Sequence, residues 1–110
     1  MVFPVSSALL DALVLSVVSA EDTYGYKITQ EITAAIEMSE STLYPVLRRL
    51  LKSGSLTSYD KEYLGRNRRY YSITAEGKKL LKEYRNVWID YKAQIDDIIG
   101  RNAVAARAAV

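Results

Sequence analysis

Ser39-Glu40-Ser41-Thr42-Leu43-Tyr44-Pro45-Val46-Leu47-Arg48-Arg49-Leu50-Leu51-Lys52-Ser53-Gly54 has the pattern of one amphipathic helix. Ser39 is a natural N-cap, because its hydroxyl can accept from N–H groups two or three residues on. Glu40 puts negative charge in the first turn, where the helix dipole favours it. Gly54 follows Lys52 as a C-cap glycine. Leu43, Val46, Leu47 and Leu50 form a single apolar face. Pro45 lies inside the pattern and predicts a kink or a loosened first turn. The opposite face carries Ser41, Arg48 and Lys52, flanked by Tyr44 and Arg49. A helix of this kind can be clamped to a domain by one side while the other lies against phosphates and base edges. Alone, the same pattern also describes a solvated surface helix.

The residues after Gly54 favour the first reading. Leu56 to Tyr63 alternates weakly and is rich in Thr and Tyr, which predicts a strand. Leu64-Gly65-Arg66-Asn67 reads as a turn and Arg68 to Ile73 as the returning strand. The tip of this hairpin carries Arg66 and Arg68, with Lys61 nearby. From Arg48 to Arg69 there are seven basic residues and two acids, whereas positions 1–26 hold three acids and no base. Like charges crowded at a hairpin tip repel, and a polyanionic partner would relieve that repulsion.

Upstream, Ser6 or Ser7 can cap a helix to about Ser19 with a wide apolar stripe, which predicts burial. A second helix is expected from about Tyr24 to Ile36, with Tyr24, Ile28, Ile32 and Ile36 on one face. Gly25 in its first turn lowers helix propensity, and a close approach by another helix would explain it. Lys27 and Gln30 lie off the apolar face, where they could meet a phosphate or simply be solvated. Glu37-Met38 is a short turn into the basic helix, which makes a helix-turn-helix pattern.

Thr74, as N-cap, opens a final helix to about Ile99, a rod of roughly 38 Å. Leu81, Tyr84, Trp88, Tyr91, Ile95 and Ile98 are spaced 3, 4, 3, 4, 3, a heptad seam. So small a domain cannot cover such a helix, so a partner helix from a second subunit is expected, with the part near Leu80 and Leu81 folding on its own core. Residues 101–110 have neither caps nor a clear period and read as a tail. The expected organisation is a winged helix-turn-helix domain over 1–73, a dimerisation helix over 74–100 and the tail. The fold class is mainly α, with a small β component (α+β).

Composition narrows the function. The chain has 110 residues, a net charge of +2, no cysteine and no histidine. Disulfides, thiolate metal sites, cysteine nucleophiles and the usual general base are therefore missing. No acid pair, nucleophile–base pair or phosphate-cradling glycine loop appears, so the chain does not read as an enzyme, and no metal or cofactor is expected. The apolar run Ala8–Val18 is broken by Asp11 and is too short to span a bilayer. A cytoplasmic protein without membrane contact is expected.

Three blocks in order, Tyr24-Gly25-Tyr26-Lys27-Ile28, Ser41-Thr42-Leu43-Tyr44-Pro45-Val46-Leu47-Arg48-Arg49-Leu50 and Gly65-Arg66-Asn67-Arg68-Arg69-Tyr70-Tyr71-Ser72-Ile73-Thr74, resemble the PadR family of bacterial transcriptional regulators in its short form with one C-terminal helix. The resemblance covers about residues 6 to 99. It departs at Ser41, where the family often has glycine, and at Asn67, where it often has proline. Tyr59 and Tyr63 stand nearest to a tryptophan common in the family's hairpin. The resemblance implies a homodimeric repressor on palindromic double-stranded DNA, with the helix from Ser39 in the major groove. Ser41, Thr42, Tyr44 and Arg48 would then touch bases and phosphates, Arg66 and Arg68 would follow the neighbouring backbone or minor groove, and Lys27 would hold a phosphate. Arg49, Lys52, Lys61 and Asn67 complete the expected DNA-binding set. Tyr70 and Tyr71 read as packing. Some members bind flat aromatic drugs at a tryptophan of the last helix. Trp88 occupies the matching place and would be the ligand residue, although a heptad tryptophan flanked by Tyr84 and Tyr91 is more often simply dimer core. The alternatives are a ligand-sensing or multidrug-binding module with its pocket near Trp88, and a winged-helix protein-interaction module.

Overall fold

The apolar stripe of the first helix, α1 (Ser7–Ala20), is the surface on which the other elements stack. The computed structural model describes residues 3–101; of the tail expected at 101–110, only Arg101 is among them. After α1 come β1 (Thr23–Tyr24), α2 (Gly25–Ala35), a 3₁₀ turn (Glu40–Thr42), α3 (Tyr44–Lys52), β2 (Leu56–Tyr63), β3 (Arg66–Ile73) and α4 (Ala75–Ile99). Ser6 caps α1, its Oγ accepting from the Leu9 N–H at 3.2 Å. Val14, Leu15 and Val18 of α1 meet Ile28 and Ile32 of α2, Val46, Leu47 and Leu50 of α3, Leu56 and Tyr71 of the sheet, and Leu81 of α4 in one core. Each such fully buried aliphatic side chain contributes about 1.5–3 kcal/mol. This is the expected winged helix-turn-helix with a long terminal helix.

The helix expected from Ser39 starts five residues later, at Tyr44. Pro45 has no N–H to give the Ser41 carbonyl and its ring would clash there, so a continuous ladder through this point is excluded. Proline instead occupies the first turn of α3, where a missing donor costs nothing. Ser39 does not cap; its Oγ lies 2.9 Å from Ser41 Oγ, and its carbonyl accepts from the Thr42 N–H at 3.0 Å. The other end is as expected. Gly54 takes φ +83°, its N–H donates to Leu51 O and the Ser55 N–H to Leu50 O, which is a Schellman closure.

The hairpin turn is two residues rather than four. Leu64 (φ +52°) and Gly65 (φ +79°) make it, and β3 already begins at Arg66. Two positive φ values in succession give the turn whose twist matches that of the flanking strands. Tyr63 pairs with Arg66, Lys61 with Arg68, Tyr59 with Tyr70 and Leu56 with Ile73. β1 adds a third strand, in the order β1-β3-β2, pairing Thr23 with Tyr71 and Tyr24 with Tyr70. Two residues are too few to show a period in sequence. Tyr24, expected at the start of the second helix, belongs instead to β1, and α2 begins at Gly25.

The seam of α4 divides along its length. Leu81 is 3 % exposed in the core of its own chain and Tyr84 is half-buried against it, so Leu81 leaves the set expected to dimerise. From Val87 onward the apolar residues are exposed, Trp88 by 42 % and Ile98 by 68 %. The packed domain therefore runs past residue 73 into the first turns of α4. The remainder of the helix projects, and the longest extent of the molecule is 62 Å.

One junction sets where α4 starts. Thr74 caps it, with Oγ1 accepting from the Gly77 N–H at 3.0 Å. The Thr74 N–H donates to Ser55 O at 3.1 Å, and Thr74 Oγ1 lies 2.7 Å from Gly54 O and 3.0 Å from Ser55 O. A Cβ on Gly77 would fall 2.1 Å from Ser55 O and 2.8 Å from Ile73 Cγ1. A Cβ on Gly25 would meet Leu47 Cδ1 and Tyr44 Cε1 of α3 at 3.7 Å, an ordinary contact. The neighbouring helix expected near Gly25 is present, but it does not require glycine. Gly77→Ala should lower stability by about 3 kcal/mol, while Gly25→Ala should change it by less than about 1 kcal/mol. Urea unfolding of both variants checks this.

Candidate nucleic-acid interface

Tyr44, Arg48 and Lys52 are spaced by four along α3, so they share its outer face, and all three are exposed. Neither Arg48 nor Lys52 has an ion-pair partner among the described residues. Arg49 points the other way. Its Nη2 donates to Asp11 Oδ1 on α1, and Asp11 Oδ2 accepts from the Tyr84 hydroxyl of α4 at 3.2 Å. The Asp11 side chain is only 14 % exposed, so Arg49 serves to tie three helices together. Burial, then the Asp11 charge, raises the Tyr84 hydroxyl pKa above its usual value.

On the hairpin, Tyr59, Lys61, Tyr63, Arg66, Arg68 and Tyr70 share one face with Tyr24 of β1, as the register requires. The Tyr59 and Tyr70 rings stack at 5.7 Å, and Tyr24 meets Tyr70 edge-on at 5.7 Å. The Arg68 guanidinium lies 4.0 Å from the Tyr24 ring centre and 4.2 Å from that of Tyr63. Lys61 Nζ stands 5.4 Å from the Tyr70 ring centre. The Tyr59 hydroxyl donates to Asp22 Oδ2 at 2.8 Å, which raises its pKa. These contacts hold the hairpin to β1 at a set angle.

Between hairpin and helices lies an open groove of about 720 Å³. Tyr44 of α3, Arg66, Asn67, Arg68 and Arg69 of the hairpin, and Tyr24 and Tyr26 line it. Of the expected set, Tyr44, Arg66, Asn67 and Arg68 line this one groove, and Arg48 and Lys52 lie on the exposed face of α3 that Tyr44 begins. Ser41 is exposed in the 3₁₀ turn ahead of α3. Four expected residues lie elsewhere. Lys27 pairs with Glu21 at 3.2 Å, a hydrogen bond that raises its ammonium pKa. Thr42 lines a recess with Phe3, Leu10 and Met38. Arg49 is on Asp11, and Lys61 lies over Tyr70. Tyr24, Tyr26, Tyr63 and Arg69 also line the groove, although the expected DNA-binding set does not include them; the sequence signal for Tyr63 is its place directly before a two-residue turn.

The Transcriptional regulator PadR-like family model matches residues 14–83. The chain belongs to the PadR family. As a member of that family it is a transcriptional regulator, with DNA as partner. It is 44 % identical to a Streptococcus mutans protein of known crystal structure, with a TM-score of 0.83 over 91 % of this chain and 94 % of that one. A PadR family transcription regulator from Clostridium difficile is 29 % identical, with a TM-score of 0.75, covering 82 % of this chain and 97 % of the other. An uncharacterised Lysinibacillus sphaericus protein is 37 % identical over 92 residues, 79 % of this chain and 84 % of that protein. Among the described residues no helix is long and apolar enough to cross a membrane, and no group of His, Cys, Asp and Glu could hold a metal ion.

Trp88 of this PadR protein leans on Tyr91, ring centres 6.5 Å apart. Two apolar recesses of about 270 and 290 Å³ flank it where α4 leaves α1, and Tyr84 lines both. Because the Tyr84 pKa is raised in the folded state, its neutral form stabilises the fold fully below about pH 10. That contribution is lost as pH rises through the folded-state value. Tyr84→Phe should therefore be less stable than wild type at neutral pH and lose less stability as pH rises above about 10. Urea midpoints across that range check both parts.

Proposed function

We propose that this chain is a homodimeric repressor that reads a palindromic operator, and that a small aromatic molecule releases it. α3 enters the major groove with Tyr44, Arg48 and Lys52, while Arg66 and Arg68 follow the adjacent backbone or minor groove. The observation that carries the reading is the groove, in which the start of α3 and the basic hairpin tip face one another. The paired half-sites follow from the row Trp88, Tyr91, Ile95 and Ile98, which is exposed among the described residues, with the half-buried Tyr84 at its root. Two chains joined along that row would present two helices α3 about one DNA turn apart. Release by a ligand is supported by the recesses beside Trp88. The same recesses support a second reading, a multidrug-binding module acting without DNA; planar cationic or phenolic compounds would then quench Trp88 fluorescence while no duplex binds.

Binding to the promoter upstream of its own gene should weaken steeply with salt. Arg48→Ala combined with Arg66→Ala should lower affinity at least about 100-fold and make the log affinity–log salt slope shallower by about 2 in a homogeneous fit per half-site. Sedimentation should leave that variant a dimer. Wild-type affinity in the double variant would exclude this surface. Ile95→Asp should give a folded monomer by circular dichroism and sedimentation, with operator affinity lowered by about 100-fold or more because the half-sites are no longer held together.

A further inference from the structure

Leu64 has no part in the DNA reading so far, yet its position is doubly unfavourable. It takes φ +52° at the first place of the turn, in the left-handed region that an L side chain other than Asn or Asp enters only with strain. Asn-Gly is the pair that suits such a turn best. Leu64 is also 86 % exposed, more than any other large apolar residue described. Neither the turn nor solvent favours leucine there, and strained residues of this kind cluster where a partner is held.

The surroundings define the partner. Leu64 lines the same groove as Tyr44, and Arg66, Arg68 and Arg69 follow within five residues. The tip is therefore an apolar point on a cationic stem, suited to a polyanion with an apolar recess. The minor groove of DNA is about 6 Å wide, wide enough for a single side chain. Its walls are deoxyribose C–H groups, and where it narrows its negative potential draws arginine. We infer that Leu64 enters the minor groove beside each half-site and presses on its sugar walls, with Arg66 alongside. This rests on the DNA reading above and adds to it a contact that involves no charge. Such a contact favours sites whose minor groove fits the leucine, which makes Leu64 a residue that sets specificity at bases α3 never reaches.

The test uses the full chain and a duplex recovered from a random pool by the wild-type protein. Leu64→Asn should raise the melting temperature by about 4 °C, because the turn is relieved. It should also weaken duplex binding about tenfold, because a buried apolar contact is lost. The dependence of log affinity on log salt should keep its slope, since no phosphate contact is removed. Leu64→Gly should weaken binding likewise, and Leu64→Met should restore it. Wild-type affinity in Leu64→Asn overturns the inference, and so does a lowered melting temperature or a changed salt slope. A Leu64-dependent association of the protein without DNA also overturns it, by giving the leucine a second copy as its partner. A wild-type chain that recovers no duplex overturns the DNA reading itself, whereas a DNA-binding wild type matched by its variants overturns this inference alone.

Discussion

The backbone carbonyl of Ser55 is the point on which the arrangement of the molecule depends. It lies one residue beyond the glycine that closes α3 and one residue before β2, and it accepts from Thr74, the residue that joins β3 to α4. Helix, hairpin and terminal rod therefore meet at one acceptor. Gly77 lets the rod come close, because any side chain there would occupy the space of that carbonyl. A buried carbonyl is expensive to leave unpaired, so the junction tolerates little displacement. The angle between the basic helix α3 and the helix that projects from the domain is fixed there by hydrogen bonds, which are directional in a way that apolar contacts are not.

A second tie of the same kind lies on the opposite side. Asp11 is the one charged residue of α1, and each of its oxygens is used by a different neighbour, Arg49 of α3 and Tyr84 of α4. A carboxylate so far withdrawn from water is costly unless it is paired in this way. Tyr84 also borders the recesses beside Trp88. The place where α4 leaves its own domain thus touches the network that orients α3, a short path of side chains between the two ends of this regulator.

The interface was legible wherever residue type and period were enough. The alternation of leucines and valines with Arg48 and Lys52 identifies α3 and its outer face, and the crowded arginines after Gly65 mark the hairpin tip. Which cations stay free was not legible. Arg48 and Arg49 are neighbours of identical chemistry, and they part only because α1 brings Asp11 up to the second of them. Lys27 is likewise claimed by Glu21, six residues back, across a loop whose course the sequence does not give. The aromatic seating of Arg68 depends on a register set by a two-residue turn, and a leucine at that turn conceals it from pattern reading.

Sequence by itself determined the family, the order of the four helices and the hairpin, the caps at Gly54 and Thr74, and the amphipathic faces, because these rest on local preferences and fixed periods. Tertiary structure alone decided the start of α3, the third strand, the division of the α4 seam into a buried root and an exposed row, and the division of the basic residues between groove and scaffold. All of these turn on contacts between residues far apart in the chain, and such contacts are set by which surfaces the core brings together.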